Sequence, residues 1–229
     1  MIDERAQMYL KVVAELNEAG EEATTSSIAR WLDVSQPSVT EMLQRLSVKG
    51  LVSHKARGPV RLTKEGERLA TSLIRRHRLW ENFLIRFLGF SWEEVHDEAC
   101  ELEHATSPAL EERLAELMDD LEACPHGHAI PGREGRASEE GATPLSEVPA
   151  PGSVRVVRIR EETADFLHRL ARLDISPGCI LNTEGASARD GSVQVRVHGR
   201  PVELAADLAK NVMVKPVEKN GAGGDQTRR

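Results

Sequence analysis

The sequence predicts an α+β chain of several domains: a winged helix-turn-helix at the N-terminus, a helical unit after it, and a small β-barrel towards the C-terminus. Three observations carry this. Apolar residues recur at helical spacing through most of the first 121 residues, interrupted once by two short β-type runs around a basic turn. A stretch rich in Pro, Gly, Ser and Glu follows at 131–152, and beyond it β-type runs alternate with turn signals. With 229 residues there is ample chain for two or three cores.

Met8, Tyr9, Val12, Val13 and Leu16 predict a first helix over 3–19, with Gly20 as its stop. Thr25 and Ser26 read as caps of a second helix carrying Ile28, Ala29, Trp31 and Leu32. Ser35-Gln36-Pro37-Ser38 offers an N-cap and an early proline, and Val39, Met42, Leu43 and Leu46 form the stripe of a third helix ending at Gly50. Two short runs, 51–54 and 60–63, flank Lys55-Ala56-Arg57-Gly58-Pro59, which is the pattern of a wing. Helices are then expected over 64–88, 91–105 and 108–121. The runs at 154–159, 179–182 and 193–197 are strands separated by the turns Pro177-Gly178 and Asp190-Gly191, with a helical piece at 162–173. The expected boundaries are 1–72 for the winged helix, 73–130 for the helical unit, 131–151 for a linker, 152–217 for the barrel and 218–229 for a disordered tail.

The net charge of −7 argues against nucleic acid until it is divided along the chain. From Thr24 to Trp80 there are eleven basic residues and four acidic ones, a balance of +7, so the remainder carries −14. A basic module is joined to acidic ones, and DNA is the partner this implies. The third helix has the size to enter a major groove with Ser35, Gln36, Pro37, Ser38 and Thr40 foremost. Pro37 would meet thymine methyls, and Ser38 and Thr40 would donate to phosphates. Lys55, Arg57 and Arg61 of the wing would add backbone contacts. Glu41 opposes phosphate. No apolar run reaches membrane-spanning length, the first ten residues lack a secretory h-region, and Cys100, Cys124 and Cys179 are too few for a disulfide framework, so reduced thiols and the cytoplasm are expected.

Cys100, Glu103 and His104, spaced three and four apart, share one helical face, and His77 and Glu81 are four apart on the helix before it. Thiolate, carboxylate and imidazole together suit a first-row transition ion, with His96 available to a second site. Cys124-Pro125-His126-Gly127-His128 lacks a second ligand pair at zinc spacing and reads as a turn into the linker. Cys179 reads as a small buried residue of a strand.

Over nearly its whole length the chain resembles the diphtheria-toxin-repressor and iron-dependent-regulator family. The resemblance is carried by Gln7-Met8-Tyr9-Leu10, the start of the third helix from Ser35 to Thr40, Arg76-His77-Arg78-Leu79 with Glu81, Val95-His96-Asp97-Glu98-Ala99-Cys100, and Glu103-His104. It implies a helical dimerisation and metal-binding domain, an SH3-like C-terminal domain and a homodimer on a double-stranded operator, with neither membrane nor small-molecule substrate. It further implies a primary metal site of Met8, Cys100, Glu103 and His104 and an ancillary site of His77, Glu81 and His96, to which Glu162 and Asp165 align. Thioether and thiol at Met8 and Cys100, where manganese-type members carry carboxylates, point to Fe2+, with Mn2+, Co2+, Ni2+ or Zn2+ able to substitute in vitro. Three other readings stay open: a manganese-responsive regulator, a metal-independent winged-helix interaction protein, and a metalloenzyme using His77, Glu81 and His96. The last lacks a positioned base or nucleophile.

Overall fold

The structure, a computed structural model, describes residues 2–54, 58–118, 121–132, 141–186 and 190–217. It divides into two compact units, residues 1–138 and 139–229.

In the first unit α1 (Glu4–Glu18) is capped by Asp3, whose carboxylate accepts from the Ala6 amide, and the chain turns away at Gly20 with φ +76°. Helix α2 (Thr25–Trp31) is capped one residue earlier than its composition suggests: the Thr24 side chain accepts from Ser27, and Ser27 accepts from the Thr24 amide in return. Helix α3 (Gln36–Val48) starts at the expected Ser35 cap with Pro37 in its first turn. Strands β1 (Val52–His54) and β2 (Val60–Leu62) pair antiparallel, Val52 opposite Leu62. The wing tip with Lys55 and Arg57 lies outside the described residues. Tyr9, Leu10, Val12, Val13, Leu16, Ile28, Val39, Leu43, Leu46 and Val60 form one core, which Ala70 and Ile74 of the next helix close.

That helix, α4 (Lys64–Phe83), is shorter than the expected 64–88, because Leu84–Leu88 continue as a π-helical turn that ends at Gly89 with φ +74°. Its start is fixed by the Thr63 cap and by Gly66, where an added Cβ would lie 2.0 Å from the Leu51 carbonyl oxygen. Helix α5 (Val95–Ala105) begins after the expected Ser91, whose hydroxyl instead donates to Glu94 in the preceding turn. Helix α6 (Pro108–Leu117) stops short of Leu121. The first half of α4 therefore belongs to the winged-helix core, and its second half packs Leu79 against Leu114 and Met118.

The second unit is one antiparallel sheet in the order β3-β8-β4-β5-β6-β7. Its strands are β3 (Thr143–Pro144), β4 (Gly152–Ile159), β5 (Ile180–Ala186), β6 (Val193–Val197), β7 (Arg200–Leu204) and β8 (Val212–Pro216), with α7 (Ala164–Ala171) and α8 (Ala206–Asn211) between them. Alternate burial along β6 gives the sheet its core face of Val193, Val195 and Val197. The end of the stretch read as linker folds with this sheet: Thr143 pairs with Val214, and Leu145 is fully buried. Cys179 precedes β5 and is only half-buried, since the Pro177-Gly178 turn, with Gly178 at φ +92°, holds it at the sheet margin. The tail at 218–229 lies outside the described residues. No described helix is long and apolar enough to cross a membrane.

Candidate metal centre and nucleic-acid interface

Helical spacing sets His77 and Glu81 on one face of α4, turned towards α5, and His96, Cys100 and Glu103 on the α5 face that meets it. Glu81 is fully buried. Its Oε1 meets His77 Nε2 at 3.1 Å, His126 Nδ1 at 3.0 Å and His96 Nδ1 at 3.7 Å, while its Oε2 has no hydrogen-bond partner among the described residues. Burial alone would raise its pKa, but the histidines His126 and His77 hold the carboxyl well below the usual range.

The Cys100 sulfur lies 3.6 Å from His96 Nε2 and 3.9 Å from His77 Nδ1. Burial pushes the thiol up, yet hydrogen bonds from His77 and His96 and the charge of Lys11 bring it down to about 7, so thiolate is plentiful at neutral pH. Glu103 is also fully buried, with Oε2 2.7 Å from Lys11 Nζ and 2.7 Å from His77 Nδ1. Its Oε1 lacks a hydrogen-bond partner among the described residues and lies 3.5 Å from His104 Nε2. Burial would raise the Glu103 pKa, and Lys11 with His77 overcomes this and lowers it. The Lys11 ammonium is held above its ordinary range: burial works against it and Glu103 prevails. The other nitrogen side of His104 meets Gln7, Nδ1 to Oε1 2.9 Å.

Ligand atoms from His77, His96 and Cys100 all lie within 4.8 Å of one another, as do those of His77, Glu81 and His96, and those of Glu81, Cys124 and His126. Sulfur, nitrogen and oxygen donors at this spacing, with two buried carboxylate oxygens that lack a hydrogen-bond partner among the described residues, fit a first-row transition ion.

The residues assigned to two separate sites by resemblance are brought together differently. His77 joins them, touching Glu81 with one nitrogen and Glu103 and Cys100 with the other. Met8 is half-buried on α1, on the same face as Gln7 and Lys11, the two residues through which α1 reaches His104 and Glu103. Glu162, just before α7, and Asp165, in its first turn, belong to the second unit.

Sequence reasoning missed four participants, Gln7, Lys11, Cys124 and His126. Lys11 and Gln7 flank Met8 on α1, and a lysine among Tyr9, Leu10, Val12 and Val13 at a buried position was the available signal. From sequence, Cys124 and His126 read as parts of a turn. The turn is real, Cys124 N bonding His128 O at 2.8 Å, but it inserts His126 fully buried between Glu81 and the Trp92 carbonyl, 2.7 Å from Nε2. Its partner stands 45 residues away, so local spacing carried no trace of it.

On α3, Ser35, Gln36, Pro37 and Thr40 are exposed and Ser38 half-buried; Arg61 is exposed on β2. Ser35 and Ser38 hydroxyls bond each other at 2.9 Å in the cap, and the Thr40 hydroxyl donates to the Gln36 carbonyl at 3.0 Å. Thr40 is thus exposed with its hydroxyl proton bonded within its own helix.

A winged helix joined through α1 and α4 to a buried thiolate, imidazole and carboxylate cluster defines a class of DNA-binding regulators that respond to metal. Comparison with known proteins is specific. Residues 1–60 match the iron dependent repressor N-terminal DNA binding domain, 63–132 the iron dependent repressor metal binding and dimerisation domain, and 143–216 the FeoA domain. The chain is 34% identical over 220 residues to the diphtheria toxin repressor of Corynebacterium diphtheriae, covering 91% of this chain and 96% of that one. It is 32% identical over 225 residues to the iron-dependent repressor IdeR of Mycobacterium tuberculosis, covering 92% and 96%. Among solved structures, a manganese-dependent transcriptional repressor in complex with manganese matches with TM-score 0.85 and 33% identity, covering 93% of this chain and all of that one. The chain belongs to the iron-dependent repressor family.

Proposed function

We propose that the protein is a dimeric transcriptional repressor whose operator binding requires Fe2+, acts in the cytoplasm and controls metal-uptake genes. One observation carries the reading: the buried cluster on α4 and α5 is reached by α1 through Lys11–Glu103 and Gln7–His104, and α1 shares its core with the reading helix α3. The ion, when bound, supplies a fixed link among donor atoms of separate helices. Met8 from α1 with Cys100, Glu103 and His104 from α5 would hold one ion, and His77, Glu81 and His96 a second on the α4–α5 face, with Cys124 and His126 beside Glu81. Glu162 and Asp165 enter on the resemblance; carboxamide replacement of each, read as metal stoichiometry, tests them. Fixing α1 against α5 selects one spacing of the paired α3 helices, and a few kcal/mol of preference for that state shifts the population decisively. Phe87, Leu88, Leu110 and Leu117, exposed on the helical unit, supply apolar area for the dimer. The positive balance of residues 24–80 supports DNA as partner.

The test is operator affinity of a Cys100→Ala, Glu103→Ala double variant. Loss of the metal dependence is expected; metal-dependent binding that persists undiminished overturns the reading. A genomic-DNA pull-down with and without Fe2+ under anaerobic conditions identifies the operator.

Manganese is the second reading, favoured by the manganese-bound relative of TM-score 0.85. Cys100 favours iron, since thiolate is the softer donor. Promoter occupancy after iron limitation and after manganese limitation separates the two.

A further inference from the structure

Glu103 offers two oxygens in unlike surroundings. Oε2 accepts from Lys11 at 2.7 Å and lies 2.7 Å from His77, whereas Oε1 has no hydrogen-bond partner among the described residues and faces His104 Nε2 at 3.5 Å. His77 is a candidate ligand bound through its second nitrogen to Glu81, so it can be drawn to metal. Lys11 differs: an ammonium has donors only and no lone pair, and this one is 3% exposed, buried on α1 beside the carboxylate.

We propose that Lys11 is a positioning residue that sets metal preference: by occupying Oε2 it makes Glu103 a one-oxygen ligand that presents Oε1. The inference rests on the metal centre proposed above. A carboxylate free at both oxygens can chelate and adds unbalanced negative charge, which suits a hard, oxygen-seeking ion such as Mn2+. With Lys11 on Oε2 the carboxylate is neutralised and limited to one bond. Thiolate and imidazole then decide affinity, and the preference moves towards Fe2+ and Co2+. The lysine also comes from the same helix as Met8, so metal preference and the α1–α5 linkage are set by one helix face.

The experiment uses the full-length chain with Lys11→Met, Lys11→Gln and Lys11→Arg. Dissociation constants for Mn2+ and for Co2+, an air-stable stand-in for ferrous iron, are measured by competition with a chelating dye, and the Co2+ ligand-field spectrum is recorded. Residues that orient a metal ligand typically change affinity by about 10- to 100-fold, so Lys11→Met should raise the Mn2+-to-Co2+ affinity ratio about tenfold or more. Lys11→Gln, which keeps a polar group at this buried position, is read the same way should methionine prevent folding. Lys11→Arg, which keeps the charge, should hold the wild-type ratio. A purely structural lysine would weaken both metals alike. An unchanged ratio in the neutral variants, or an equal change in Lys11→Arg, overturns the role of Lys11. Failure of the wild-type chain to bind either ion would instead overturn the metal centre itself.

Discussion

Nδ1 of His77 on α4 lies 2.7 Å from Oε2 of Glu103 on α5, while Nε2 of the same ring meets Oε1 of Glu81 at 3.1 Å. An imidazole between two buried carboxylates is held as imidazolium. Burial and the Lys11 charge oppose protonation, but Glu81, Cys100 and Glu103 prevail and raise the pKa to about 10. The stability this contributes is complete below the ordinary value of 6.5 and is lost as pH climbs through about 10.

The first prediction follows for the metal-free protein. Cys100, lowered to about 7, contributes with the opposite sign, so the measurement belongs in a Cys100→Ser background. There, unfolding midpoints with chelator present should fall as pH rises above 6.5, and adding His77→Gln should flatten the profile. Parallel profiles would show that His77 does not titrate in this window.

Glu103 gives the second. Glu103→Ala leaves Lys11 as a buried charge without its carboxylate, which should cost about 3–5 kcal/mol in denaturant titrations of the metal-free chain. Adding Lys11→Met should recover part of the loss. A single variant within half a kcal/mol or so of wild type would mean that solvent reaches the pair.

Gly66 gives the third, on stability alone. A Cβ there meets the Leu51 carbonyl oxygen at 2.0 Å, backbone against backbone, so neither side can swing away. Gly66→Ala should lose about 1–3 kcal/mol by shifting α4 from β1. Unaltered thermal stability would contradict the close approach.

The fourth concerns DNA. Arg61 is exposed on β2 within the basic module, and as a phosphate contact its removal should lower the slope of log affinity against log salt by about 1, with little change in sequence preference. Gel-shift titrations over a salt series measure this. An unchanged slope would remove Arg61 from the interface.

Much of this architecture was legible in the residues. Ser35, Pro37 and the apolar stripe marked α3; the alternation in β6 marked a strand; and the spacing of Cys100, Glu103 and His104 marked a set of candidate donors on one helical face, because helix and strand periods are written along the chain. Boundaries were less legible. The α4 pattern ran on through Leu88 since a π-helical turn keeps nearly helical spacing, and the linker composition hid β3, whose pairing with β8 depends on residues 71 and 69 positions away.

By itself the sequence determined which donors exist, on which helices they lie and that a basic module accompanies them, since these depend on identity and local period. Only the tertiary structure decided which donors meet: Lys11 with Glu103, His126 with Glu81, and His77 between both carboxylates. The physical reason is that burial forces charged and polar groups to find partners wherever packing brings them, and the separations of 92 and 45 residues in these pairs leave no periodic mark along the chain.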